Sequence, residues 1–210
     1  LNMKSVRQPK VSPDGNWVLY SISRVDSVKD KNISKLYMTS WNGKETVKLT
    51  EQTNNPVSHA WSPDGHFISF IATNKSDDKA NSSRQLFLLD RRGGESYQVT
   101  HFKSNIVSYN WSPDGKKILF VIDDQDYSDT AKSNVRVPFE INRYHFKQDY
   151  EGYLDNRKSH LYLYDLDSKK LDTLTRGNHE EAGAIFSHDG QSIAFVSNIS
   201  PDPDRNSNTD

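Results

Sequence analysis

The chain has 210 residues, of which 33% are apolar and 26% charged, and its 27 Lys and Arg nearly balance 28 Asp and Glu. Nothing in that balance suggests a nucleic-acid groove or a patch for an anionic membrane, and no apolar run approaches the roughly 20 residues of a membrane span. The lack of cysteine excludes disulfides and thiol catalysis, yet it fits reducing and oxidising compartments alike. Leu1 opens no signal-peptide pattern, and a chain without an initiator Met is compatible with removal of an earlier targeting segment. A periplasmic or secreted location is favoured over the cytoplasm.

In chain order, the first predicted element is a hairpin, KVSPDGNWVLY (10 to 20), followed by a second, LYMTSWNGKETVKLT (36 to 50). The same pair returns as AWSPDGHFISF (60 to 70) with LFLLDRRGGESYQVT (86 to 100), and as NWSPDGKKILF (110 to 120) with LYLYDLDSKKLDTLT (161 to 175). A fourth copy of the first hairpin is IFSHDGQSIAF (185 to 195). The Ser of the phrase falls at Ser12, Ser62, Ser112 and Ser187, in steps of 50, 50 and 75, while each leading Leu precedes its final Thr by 14. The repeat is therefore 50 residues long, with 25 extra residues inserted once, within 121 to 160.

Each phrase turns the chain. Pro13, Pro63 and Pro113 preset φ at the second turn position, and Gly15, Gly65, Gly115 and Gly190 supply the left-handed residue that closes the hairpin. Val11, Trp61, Trp111 and Phe186 stand before the turn; Val18, Ile68, Ile118 and Ile193, then Tyr20, Phe70, Phe120 and Phe195, alternate after it, the period of a strand. The residues between, Leu19, Ser69, Leu119 and Ala194, suit a strand covered on both faces. With the Leu-led run, each repeat makes a four-stranded antiparallel meander. Such meanders at this period predict an all-β fold of propeller blades, which bury both faces against their neighbours. By the same spacing the fourth copy's third strand would begin at position 211, one past Asp210. Residues 1 to 210 are thus expected to form a partial β-propeller of about three and a half blades, with the ring not closed.

The wording WSPDGKKILF with LYLYDLDSKKLDTLT resembles the PD40-type blades of TolB-like propellers and of the prolyl oligopeptidase family of serine peptidases. The segment RVPFEINRYHFKQDYEGYLDNRKSHLYLYD (136 to 165) and the opening SVRQPKVSPDG (5 to 15) resemble the dipeptidyl-peptidase and acylaminoacyl-peptidase branch. This resemblance implies a parent enzyme in which the propeller sits over a C-terminal α/β-hydrolase domain and restricts peptide access to its Ser, Asp, His triad. No Gly-x-Ser-x-Gly elbow occurs in these residues, so the hydrolase domain is expected to be absent from this chain and no catalytic residue to lie in it. The alternative parent is a TolB-like periplasmic propeller that binds partner proteins.

His179-Glu180-Glu181 is similar to the paired glutamates with which some dipeptidyl peptidases hold a substrate's α-amino group, although by the repeat it falls in an ordinary blade-to-blade loop. The inserted segment gathers Arg143, Tyr144, Lys147, Asp149, Tyr150 and Glu151, a mixture suited to a substrate or a facing domain. The alternating oxygens from Asp202 to Asp210 have calcium-loop spacing but Ser207 where such a loop wants Gly, and no histidine pair has zinc spacing. No metal and no cofactor are expected. Trp61, Trp111, Phe70 and Phe120, at equivalent positions, are read as core.

Overall fold

The computed structural model describes residues 4–26, 31–50, 55–73, 83–124, 141, 144, 146–148, 152–153 and 157–201. The first blade is the sheet β1 (Lys4–Val11), β2 (Trp17–Asp26), β3 (Lys31–Ser40) and β4 (Thr46–Lys48), hydrogen-bonded in that order. The second is β5 (Val57–Trp61), β6 (Phe67–Thr73), β7 (Arg84–Asp90) and β8 (Tyr97–Gln98), again in sequence order. In the third, β9 (Ile106–Trp111) and β10 (Lys117–Asp123) pair, and the tiny hairpin β11 (Lys147–Gln148) and β12 (Gly152–Tyr153) intervenes. The sheet then resumes with β13 (Ser159–Asp165) and β14 (Leu171–Thr173). A two-stranded sheet, β15 (Glu181–Phe186) and β16 (Ile193–Ser197), follows. All pairings are antiparallel, and the described residues form three full meanders and the first two strands of a fourth, in an unclosed ring.

One hydroxyl organises each phrase. The Ser62 Oγ donates to Asp64 Oδ1 at 2.5 Å and accepts the Phe67 N–H at 2.9 Å, while the Gly65 N–H donates to Ser62 O at 2.9 Å. The same bonds recur around Ser12, Ser112 and Ser187. Each glycine takes φ between 70° and 74° at this point (Gly15, Gly65, Gly115, Gly190), which a side chain would resist. A second hydroxyl accounts for the spacing of 14: Thr50, Thr100 and Thr175 each accept, through Oγ1, the N–H of Leu36, Leu86 and Leu161, at 2.9, 3.0 and 2.9 Å. The first strand of three blades also carries a left-handed residue four before the phrase's Ser, namely Gln8, Ser58 and Gly183. Each sits in a bulge where the register with the next strand shifts.

The core lies between sheets, not within one. Ile68 and Phe70 of β6 face Leu19 and Leu36 of the first blade, whereas Ile71 of the same strand faces Ile118 and Phe120 of the third. Leu119 and Val121 of β10 in turn meet Ala184 of the fourth. Alternation with both sets buried is what strands β6 and β10 require, and Phe70 and Phe120 are fully enclosed. The end blades differ from the sequence expectation for a physical reason, namely that each has a neighbour on one side only. Val11 is exposed and Phe186 half-buried, and Ala194, expected to be covered on both faces, is exposed together with Phe195 and Val196.

Candidate functional site

Blade-to-blade joints are built from side chains of a first strand reaching the previous blade. The Trp61 indole N–H donates to Lys10 O at 3.0 Å, and His59 Nε2 lies 2.8 Å from Gln8 O. At the next joint the Trp111 indole N–H and the Tyr109 hydroxyl both donate to Ser69 Oγ, each at 2.8 Å, and Ser69 donates onward to Ala60 O. Burial pushes the Tyr109 hydroxyl far above the ordinary phenol range, which keeps it a donor. On the rim, a Cβ on Gly65, Gly115 or Gly190 would lie 3.4, 3.6 or 3.4 Å from the Cδ of Pro13, Pro63 or Pro113. Each turn's proline therefore packs on the next turn's glycine.

Of the expected site residues, Glu181 has a definite place. It opens β15, is 5% exposed, and accepts at Oε2 from the Thr175 hydroxyl at 2.7 Å and from His160 Nδ1 at 2.9 Å. On the other side of the ring, His160 Nε2 faces Asp124 Oδ1 at 3.6 Å. The two carboxylates thus lie on opposite nitrogens of one imidazole and do not converge on a common centre. In the second blade a single amide does this work: Gln85 Oε1 accepts from the Thr100 hydroxyl at 2.8 Å and from the Phe102 N–H at 2.9 Å. Glu181 is in the first place a blade-joining carboxylate, and Glu180 beside it is exposed.

The His160 chain ends at the base of the insertion. Asp123 pairs with Ser159 in register, Ser159 Oγ donates to Asp123 Oδ1 at 2.8 Å, and the Lys158 N–H donates to Asp124 Oδ2 at 3.0 Å. The inserted residues therefore leave and rejoin the blade through a closed clamp, at 124 and 158. Tyr144 is 70% exposed. Arg143, Asp149, Tyr150, Glu151 and the Asp202 to Asp210 run lie outside the described residues. Sequence reasoning missed His160. The available signal was a polar residue directly before the leading Leu, where Gln85 stands in the second blade.

An open cleft of about 780 Å³ lies between the second and third blades, lined by Asp64, Trp111, Gly115 and Leu166 among others. A second, of about 630 Å³, follows between the third and fourth, beside Asp114, Lys117 and Asp189. The turn aspartates facing them are held below the usual carboxylate range, first by the hydroxyls of Ser62, Ser112 and Ser187 and then by backbone N–H groups. Among the described residues no group of three or more His, Asp or Glu is placed to hold a metal, and no helix is long and apolar enough to cross a membrane.

No family model and no curated protein matches this sequence. Solved structures do match. The Pyrococcus horikoshii acylaminoacyl peptidase superposes with a TM-score of 0.66 at 17% identity, over 93% of this chain and 28% of that one. The β-propeller domain of the Trilobed protease from Pyrococcus furiosus gives 0.54 at 16%, over 93% and 48%. A TolB-type structure from Agrobacterium tumefaciens gives 0.55 at 16%, over 93% and 70%. The chain thus spans little more than a quarter of the peptidase it resembles. The fold is a PD40/TolB-like β-propeller fragment, shared by peptidase propellers and by TolB.

Proposed function

We propose that this chain is the N-terminal propeller portion of a serine exopeptidase of dipeptidyl- or acylaminoacyl-peptidase type, gating peptide access to a separate α/β-hydrolase domain. The observation that carries the reading is the superposition on the acylaminoacyl peptidase at a TM-score of 0.66. The peptidase-like wording of residues 136 to 165, which return to the blade beside His160, agrees with it. In the parent enzyme the chemistry is acyl transfer to a serine activated by histidine, with an oxyanion hole, all in the hydrolase domain. The propeller contributes selection by size, admitting extended peptides and excluding folded chains. Arg143, Tyr144, Tyr150 and Glu151 of the insertion, with exposed Glu180, are the residues proposed to meet the substrate or the hydrolase domain.

The test is to express the complete gene product and treat it with a fluorophosphonate probe and with chromogenic N-acyl and free dipeptidyl substrates. Labelling of a serine outside residues 1 to 210, with cleavage of short substrates and sparing of folded proteins, supports the reading. A product that neither labels nor cleaves overturns it in favour of a TolB-like binding propeller, a fold match at a TM-score of 0.55.

A further inference from the structure

We propose that the cleft between the second and third blades binds a ligand carrying a guanidinium on an apolar stem, the chemistry of an arginine side chain. The argument comes from the repeat itself, because the preceding joint already holds such a group. Arg91 follows the third strand of the second blade, and its Nη1 reaches across the joint to Asp14 Oδ2 at 3.0 Å and to Gly65 O at 3.4 Å. A guanidinium from the chain thus bridges the turn carboxylate of one blade and the turn glycine carbonyl of the next.

One joint further on, the frame is repeated, and among the described residues a leucine stands where the guanidinium-bearing residue stood. The Leu166 N–H donates to Lys116 O at 3.0 Å as the Arg91 N–H donates to His66 O at 3.0 Å, so Leu166 occupies in the third blade the position of Arg91 in the second. Asp64 stands for Asp14 and Gly115 for Gly65. Asp64, Gly115 and Leu166 all line the cleft of about 780 Å³. Its wall also carries Phe67, Tyr97, Phe102, Trp111 and Tyr164, aromatic surfaces of the kind that take an apolar stem and attract a cation to their faces.

The carboxylate is accessible, and a ligand would share Oδ2 with His66. The Asp64 side chain is 56% exposed; Oδ1 is spent on the turn, and Oδ2 faces the exposed His66 Nδ1 at 3.0 Å. In the preceding joint one guanidinium nitrogen, Nη1 of Arg91, meets Oδ2 and the carbonyl together, and the repeat assigns the same donor here. Asp114, His101 and Lys169 line the same cleft, and Asp64 is the carboxylate that corresponds to Asp14. This site does not depend on the peptidase reading.

Isothermal titration of the 210-residue chain with N-acetyl-arginine amide tests the proposal, with N-acetyl-citrulline amide as the uncharged isostere. The arginine probe is expected to bind at one saturable site, and the citrulline probe about 10-fold or more weakly, the value of a charge-assisted hydrogen bond. Asp64→Asn keeps the turn's acceptor oxygen and should weaken the arginine probe to a similar degree, roughly 10-fold. Leu166→Arg should abolish binding by filling the site from within. Equal binding of the two probes, retention of affinity in Asp64→Asn, or no saturation by about 10 mM probe overturns the proposal. Should Leu166→Arg fail to fold, the citrulline comparison and Asp64→Asn decide it.

Discussion

The indole N–H of Trp61 donates to the carbonyl of Lys10 across 3.0 Å, joining two blades through residues 51 apart in sequence. Trp61 is also 9% exposed within the cluster formed by Leu19, Ile68 and Phe70, so it contributes both area and a directed bond. The two contributions are separable. Trp61→Phe should cost about 1 kcal/mol for the unmet carbonyl, and Trp61→Ala on the order of 3 to 5 kcal/mol through the cavity it leaves. Urea unfolding of both variants measures the difference. No loss in Trp61→Phe would mean that the bond contributes nothing.

Ser112 is buried in its turn, accepting one backbone N–H and donating to Asp114. Ser112→Ala should therefore lower stability by about 1 to 2 kcal/mol. In the complete gene product it should leave fluorophosphonate labelling intact. Loss of labelling without loss of stability would identify this serine as a nucleophile and contradict its role as a turn residue.

Thr175 closes the third blade by accepting the Leu161 N–H, and it donates its own proton to Glu181 of the next blade. Thr175→Val keeps the shape but leaves a buried N–H and a buried carboxylate oxygen short of a partner, at a cost of roughly 2 to 3 kcal/mol. The double variant with Glu181→Gln should lose less than the sum of the single losses, because both touch one network. Additive losses measured in denaturant would show that the two residues act separately.

Acidification should loosen the joint of the first and second blades. Burial is the main cause holding the His59 imidazole below its ordinary value of 6.5, Lys10 adds repulsion, the bond to Gln8 O opposes both, and Nδ1 is buried with no partner. Because the unfolded chain takes up this proton more readily than the folded one, stability falls as pH drops below the unfolded value and is regained as pH rises. Unfolding at about pH 7.5 and about pH 5.5 should show a fall in the wild type that His59→Phe reduces, by up to about 1.4 kcal/mol per pH unit. An unchanged pH dependence in the variant would assign the fall to other groups.

Much of the fold was legible because the phrase and the Leu-led run each carry their own closure. Ser62 and Asp64 close a turn from within six residues, and Leu86 and Thr100 meet across a single hairpin, so local spacing reported real bonds. What could not be read were properties that depend on the neighbouring blade. Leu119 and Ala194 hold the same place in their repeats, yet one is enclosed and the other exposed, since only the first has a sheet on each side. Likewise Glu181 looked like a loop carboxylate because its partner His160 lies 21 residues away in another blade, with no motif linking them. The Arg91 to Asp14 contact spans 77 residues and was equally hidden.

The packing of Pro13 on Gly65, Pro63 on Gly115 and Pro113 on Gly190 gives every joint the same prong and socket, pointing the same way along the chain. A blade is thereby keyed for interchange: a whole 50-residue unit can be duplicated or excised and the new seam will be a joint of a kind already present. An insertion or deletion of any other length displaces the prong from its socket unless, like the 25 extra residues here, it is looped out through a clamp such as Asp123 and Ser159. Growth and loss by whole repeats leaves every seam of a kind the molecule already contains.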